Sequence, residues 1–525
     1  MSVTNQAVLG GVNGLEIALE LLSFSGGLNT ISEDQAMKPS EARALENWVA
    51  TSLGGMERAK GFNEVADGGG SYTDKLDLLI QHKDSGGTQI YGICEGDLIY
   101  KNGSGFTNDD NGAFTSGLLS HGVSAGAALW ITNTTDNLKR KTVGVAVAVP
   151  ASVPTTACAR IYNHKNRLVA EGSTSQTKRI YGSRTGTGNW TAADAWSLSN
   201  DAWSIDLPED TRGCVPNFPS GNEILVFTER GTYALSNFPN TAFRPVSTPG
   251  RGCSAPYSIA LGDEGVYFLS RYPTLGVYLF DGTNFTQLTE FNRDVFVEKI
   301  DFTHRIFGIY RNRTYKIFYS DTDNGVSYPD TCMEYDARFG RWMKRDVNSA
   351  LADNFGYPAL LQYSNNELYA ASSRKDKIYE LETDDDSDEG QSTEAVFTTK
   401  TFSSRDFAIA SGGQFPIDDV RMKLLKVIVT YYGTTGSLGF YWSADRGLHS
   451  GSKTIDLTAD GDLLNTSFIV NTSYIATVPP DKTRTYVFPN DAVGRRFQFI
   501  ISNSGSSTRP KVKKIKVVAL ALNEA

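Results

Sequence analysis

Gly265-Val266-Tyr267-Phe268-Leu269, followed by Gly276-Val277-Tyr278-Leu279-Phe280-Asp281-Gly282-Thr283, is the stretch whose reading decides the fold. Two short runs of β-branched and aromatic residues divided by turn formers read as a hairpin, and Asp281-Gly282 supplies the next tight turn. In both directions the same unit recurs: a short apolar strand, a turn, then a strand carrying Tyr or Lys near its middle. Residues 90–93 precede 97–103, 129–132 precede 138–141, 167–170 precede 178–182, and 223–227 precede 232–235. Farther along, 306–310 goes with 333–336, and 368–370 with 378–381. Anchored on Tyr100, Lys139, Tyr181, Tyr233, Tyr278, Tyr335 and Tyr379, the spacings are 39, 42, 52, 45, 57 and 44 residues. A four-stranded propeller blade takes roughly 40 to 50 residues. The expectation is an all-β protein centred on a β-propeller of about seven blades, with six to eight allowed by the arithmetic. A long β-sandwich of regular hairpins is the alternative. On the propeller reading, Tyr233, Tyr278, Tyr335 and Tyr379 should be equivalent, each burying its ring between adjacent sheets.

Two regions flank the array, which is assigned to residues 76–382. Residues 1–75 read as an N-terminal arm and docking segment. Within it, 39–53 is expected to form a short helix, with Ala42, Leu45, Trp48, Val49 and Leu53 at helical spacing and Gly54-Gly55 ending it. The run Thr383-Asp384-Asp385-Asp386-Ser387-Asp388-Glu389-Gly390 reads as an acidic linker, 383–390. Residues 391–525 alternate strongly, as in 426–431, 440–442, 497–500 and 515–518, and are expected to form a C-terminal β-sandwich.

Composition agrees with a turn-rich all-β chain: of 525 residues, 50 are Gly, 18 Pro, 24 Tyr and 27 Phe. With 50 basic against 59 acidic side chains the net charge is −9, which excludes a protein whose affinity for nucleic acid rests on a strongly basic surface. The five cysteines include no C-x-x-C pair, so reduced, packed thiols are expected rather than a zinc ribbon or a disulfide framework. No Lys or Arg precedes Lys38, and no apolar run approaches the roughly 20 residues of a membrane span. The chain is therefore expected to be made in a reducing cytoplasm.

The usual chemical signatures are missing. The five histidines (His82, His121, His164, His304, His449) have no ligand-like spacing, and no H-E-x-x-H, G-x-S-x-G or phosphate-loop pattern occurs. Each His is read as a surface or half-buried side chain. Trp442-Ser443-Ala444-Asp445-Arg446-Gly447 holds the S-x-D-x-G core of the sialidase turn motif in a single copy, and that motif shapes a turn without performing chemistry. The acidic run lacks the alternating order that wraps calcium. No catalytic residue, metal or cofactor is expected.

Two segments carry a resemblance. One is Phe24-Ser25-Gly26-Gly27-Leu28-Asn29-Thr30, with Glu41-Ala42, Leu45-Glu46-Asn47, and then Gly55-Met56-Glu57-Arg58 with Lys60-Gly61-Phe62. The other is Gly252-Cys253-Ser254-Ala255-Pro256-Tyr257-Ser258, continuing through 265–270 to 276–282. Together they resemble the β-propeller nozzle or hub proteins in the tails of short-tailed double-stranded DNA bacteriophages, including the packaged-DNA stabilisation type. The resemblance implies a non-enzymatic virion protein, six copies of which surround a channel below the portal and adaptor. Through that channel double-stranded DNA passes without specific binding. On this reading Phe24, Gly26, Gly27, Leu28 and Asn29 are candidates for a subunit or adaptor interface. Asp384, Asp385, Asp386, Asp388 and Glu389 are candidates for an acidic channel lining that does not hold phosphates. The competing readings are a propeller glycosidase and a carbohydrate- or receptor-binding tail protein acting on host surface polysaccharide.

Overall fold

The computed structural model describes residues 15–522 except 22–23, 25, 52–54, 68–71, 73, 85–86, 143, 151–152, 155–156, 173, 187–195, 197–200, 219–222, 247–250, 295, 324–328, 347–359, 363–366, 373–375, 384–393, 411–419, 433–435, 458–481 and 505–509. The acidic candidates Asp384 to Glu389 lie outside the described residues. The chain divides into two compact units, one of residues 62–338 with 347–383, the other of residues 1–61, 339–346 and 384–525.

The first unit is a β-propeller. Among its described residues, seven antiparallel sheets follow one another along the chain. Their first strands are Leu76–Asp84, His121–Ala125, Arg160–His164, Thr211–Phe218, Ala260–Leu261, Phe307–Arg311 and Leu360–Gln362. Each of these packs beside the next, the fourth and fifth being joined through the short 3-10 turn Pro256–Ser258, and the seventh returns to the first. The ring is closed by an earlier piece of chain: Phe62–Asp67 pairs with Lys377–Leu381 as the outermost strand of the seventh sheet. All seven sequence anchors, from Tyr100 to Tyr379, fall on the third strand of their sheets.

Burial follows from stacking. The second strands Ala128–Thr132, Arg167–Glu171, Val266–Ser270 and Leu368–Ala371 are buried at every position. A sheet covered on both faces has no wet side, so the middles of these strands read as apolar runs without alternation. The outermost strand Ala242–Pro245 is exposed throughout. Third-strand tyrosines are therefore unequal: Tyr278 and Tyr379 are buried, whereas Tyr233 and Tyr335 are half-buried. Asp281 Oδ1 accepts from the backbone N–H groups of Thr283 and Asn284, and Gly282 takes φ +101°, so this turn forms as read.

The second unit is a β-sandwich. One sheet runs Lys482–Val487, Met422–Tyr432, Lys511–Ala521, Met56–Arg58 and Trp48–Ala50, with Leu15–Leu21 also on Lys511–Ala521. The other runs Arg341–Asp346, Glu41–Glu46, Ala395–Thr399, Arg496–Asn503, Ser437–Ala444 and His449–Asp456. A single apolar core that includes Ile17, Leu19, Trp48, Phe397, Val427, Phe440, Phe499 and Val517 holds them together. The sandwich is thus not purely C-terminal: the arm contributes strands to both sheets.

The helix expected over 39–53 does not form. Its place is taken by the strands Glu41–Glu46 and Trp48–Ala50, divided by Asn47 at φ +54°. The reason is a bulge. The register with Ala395–Thr399 slips between Ala42 and Ala44, so the inward residues Ala42 and Leu45 stand three apart, as on a helix, although the backbone is extended. The described helix is the seven-residue Ser404–Ala410. No helix among the described residues is long and apolar enough to cross a membrane.

Candidate functional site

The first strands of the propeller leave a cavity of about 330 Å³ between them, lined by Asp77, Leu78, Ile80, Ser120, His121, Arg160, Tyr162, Cys214, Tyr257, Phe307 and neighbouring backbone. Three successive blades each contribute a polar residue from the start of their first strand. Asp77, His121 and Arg160 stand 44 and 39 residues apart, which is the blade period.

A buried polar network fills one side. Arg160 Nε donates to Glu171 Oε1 at 2.6 Å, and the same oxygen accepts from the Tyr162 hydroxyl at 2.8 Å. Cys214 Sγ donates to Glu171 Oε2 at 3.2 Å, and the Cys214 backbone N–H donates to the Tyr162 oxygen. Glu171 is fully buried, so its charge is affordable only because these donors surround it. Burial works against the Arg160 charge, but Glu171, Tyr162 and Tyr257 together outweigh it and raise its pKa. Burial first, and then the Glu171 charge, pushes the Tyr162 hydroxyl and the Cys214 thiol far above their ordinary values. Both groups therefore stay protonated at neutral pH.

The other side is less complete. Asp77 is buried and its Oδ1 accepts from Arg305 at 2.7 Å, but its Oδ2 has no hydrogen-bond partner among the described residues. Burial raises the Asp77 pKa against the pull of Arg305. His121 Nδ1 accepts from the Ile161 backbone N–H, which places its proton on Nε2. Burial, reinforced by the Arg160 charge, lowers the His121 pKa to about 3 and keeps the ring neutral. Tyr257 closes this side, packed against both His121 and Phe307.

Histidines also tie blade to blade. His82 Nδ1 meets Ser124 Oγ at 2.8 Å, His121 Nδ1 bonds Ile161, and His164 Nδ1 accepts from the Asn217 N–H at 3.2 Å. Each link joins the first strand of one blade to the next. Reading these residues only for ligand-like spacing missed this role, and His82 and His164 are fully buried. All five cysteines are buried free thiols. Among the described residues, no group of His, Cys, Asp or Glu is placed to hold a metal ion.

The interface candidates belong to the sandwich and are occupied by their own chain. Phe24 is buried edge-on to Phe397, and Asn29 is buried with its Nδ2 donating to Glu41 Oε2. Leu28 is half-buried. Gly26 packs against the backbone of Ser40, and Gly27, at φ +74°, lies so close to Arg341 that a Cβ would fall 2.5 Å from its side chain. Arg341 also donates to the Phe24 carbonyl. Within this chain the segment is a structural joint of the sandwich. In the same unit, the Asp445 carboxylate accepts from the N–H groups of Arg495 and Arg496, so the S-x-D-x-G motif anchors a turn.

No protein-family model and no curated protein sequence matches the chain. Solved structures with a similar fold include the extracellular domain of the hybrid two component system BT4673 from B. thetaiotaomicron, at TM-score 0.43 and 12% identity, covering 62% of this chain and 39% of that one. YCF48 bound to D1 peptide matches at TM-score 0.38 and 10% identity, covering 62% of this chain and 97% of that one. The WD40 β-propeller domain of Doa1 matches at TM-score 0.39 and 8% identity, covering 61% and 97%.

Proposed function

We propose that this chain is a structural, non-enzymatic tail protein of a short-tailed double-stranded DNA phage, a nozzle or hub subunit that retains packaged DNA and conducts it during ejection. The observation that carries the reading is where the resembling segments lie. Residues 24–29 with 41–47 are strand and joint of the sandwich, and residues 252–282 form the turn Pro256–Ser258 and the inner strands of the fifth blade. Both are scaffold, as expected if the resemblance reflects a shared framework. The axial cavity supports the same view, because Asp77 is the carboxylate in its lining while Glu171 is committed to its donors. Glycoside hydrolysis needs two available carboxylates about 5 to 10 Å apart.

A cavity of about 330 Å³ cannot pass a duplex. In this proposal the DNA channel is therefore formed between subunits, with the propellers as its wall. Electron microscopy of the purified protein, alone and with an adaptor ring, tests this. Six-fold rings enclosing an open channel are expected. Monomers or trimers that turn over capsule or lipopolysaccharide would overturn it in favour of the glycosidase.

A further inference from the structure

We infer that the outer face of the sandwich sheet built on Met422–Tyr432 and Lys511–Ala521 docks on the acidic propeller of a second copy of the chain. The inference rests on the nozzle proposal in one respect, that copies assemble, and it names the contact. A closed ring of more than two copies joins unlike, complementary patches of neighbouring subunits. The chain carries such unlike parts. Its propeller, residues 62–338 and 347–383, has 27 basic against 35 acidic side chains, a net −8. Residues 391–525, which supply the two strands named, have 16 basic against 11 acidic, a net +5.

Strand alternation sorts the residues of this sheet. Val427, Val429, Tyr431, Ile515 and Val517 enter the sandwich core, so the residues between them point outward. Register then sets Lys426 beside Val487, Ile428 between Thr485 and Lys516, and Thr430 between Thr483 and Lys514. By the same alternation Lys423, Lys426, Lys511, Lys513, Lys514 and Lys516 share the face with Glu16, Glu20 and Glu57. Glu20 alone answers both Lys514 and Lys516, at 2.9 and 3.0 Å, so positive charge is in excess. Among these charges stand Ile428 and Val487, and Val487 is 77% exposed. Apolar side chains edged by charge suit a protein partner, whose interface is apolar at its centre and polar at its rim. A nucleic acid would bring phosphates against the three glutamates as well as the lysines. A folded surface with an excess of carboxylates fits better, and the propeller of a second copy is one.

Sedimentation velocity of the full chain at about 0.1 and about 1 M salt, where the Debye length falls from roughly 10 to 3 Å, tests this. Wild type should self-associate at the lower salt and dissociate at the higher. Lys514→Glu combined with Lys516→Glu should weaken association tenfold or more. Glu20→Gln, which adds positive charge to the face, should strengthen it, whereas a purely structural role for these ion pairs would make both changes act alike. If the double variant does not fold, Lys426→Glu replaces it, because its Glu16 contact is a loose 4.0 Å. Carbodiimide cross-linking of mixed heavy and light copies should join lysines of this face to carboxylates in the propeller segments of the other copy. A wild-type chain that stays monomeric, association indifferent to the reversals, or cross-links confined to sandwich residues overturns the inference. So does a DNA duplex that binds this face more tightly than a second copy does. Rings that form despite the reversals overturn the inference and leave the nozzle reading standing. Salt-sensitive association through this face into open chains supports the inference and counts against the ring.

Discussion

His164 shows what one side chain does in the ring of first strands. Its Nδ1 accepts from the Asn217 backbone N–H, while its Nε2 is buried without a hydrogen-bond partner among the described residues. Burial, followed by the charges of Lys165 and Arg167, lowers its pKa from 6.5 to about 4. The folded state thus binds a proton less readily than the unfolded chain, whose histidines titrate near 6.5. The stability this contributes is fully present above about pH 6.5 and is lost as the pH falls through about 4. For one group shifted this far it is on the order of 3 kcal/mol. His121 is shifted in the same direction, to about 3. The urea midpoint should therefore drop between pH 7 and pH 4, and His164→Gln, which keeps an acceptor for Asn217, should flatten that drop by about one proton's worth of slope. Parallel pH profiles for both proteins would remove His164 from the account.

At the scale of the element, closure rests on one strand. Phe62–Asp67 supplies the outer edge of the seventh blade, and Phe62 meets the ring of Tyr379 edge-on at 5.6 Å. Tyr379 is fully buried among Phe62, Leu368, Ala370 and Leu381. Tyr379→Ala should cost about 3 to 5 kcal/mol, as large core truncations do. Tyr233→Ala, at a half-buried third-strand position, should cost distinctly less. Denaturant melts of the two variants check this. Equal losses would mean that the half-buried tyrosine packs as tightly as the one in the closing blade.

At the scale of the whole molecule, the arm is structural. Leu15–Leu21 runs antiparallel to Lys511–Ala521 along its length, and Ile17, Leu19, Leu21 and Phe24 enter the sandwich core. Deleting residues 1–30 removes all four, so the sandwich unit should lose its cooperative fold while the propeller remains. Limited proteolysis of the truncated chain should then degrade the sandwich segments first and leave the propeller segments, residues 62–338 and 347–383, resistant. A truncated chain with unchanged protease resistance throughout would show that the arm is an accessory.

The sequence by itself determined the propeller. Hairpins repeating near 40 to 50 residues are local features, written in apolar runs and turn formers, and every anchor residue landed on a third strand. The strands of 426–431, 440–442, 497–500 and 515–518 were legible for the same reason. Only the tertiary structure decided what depends on distant pairing. A bulge made Ala42 and Leu45 imitate a helix, because inward residues three apart arise from either backbone. The arm joined the sandwich because Leu15–Leu21 found its partner nearly 500 residues away, and no local pattern encodes such a pairing. The axial site was hidden for a related reason. Asp77, His121 and Arg160 are single polar residues in separate repeats, and only closing the ring brings them onto one cavity.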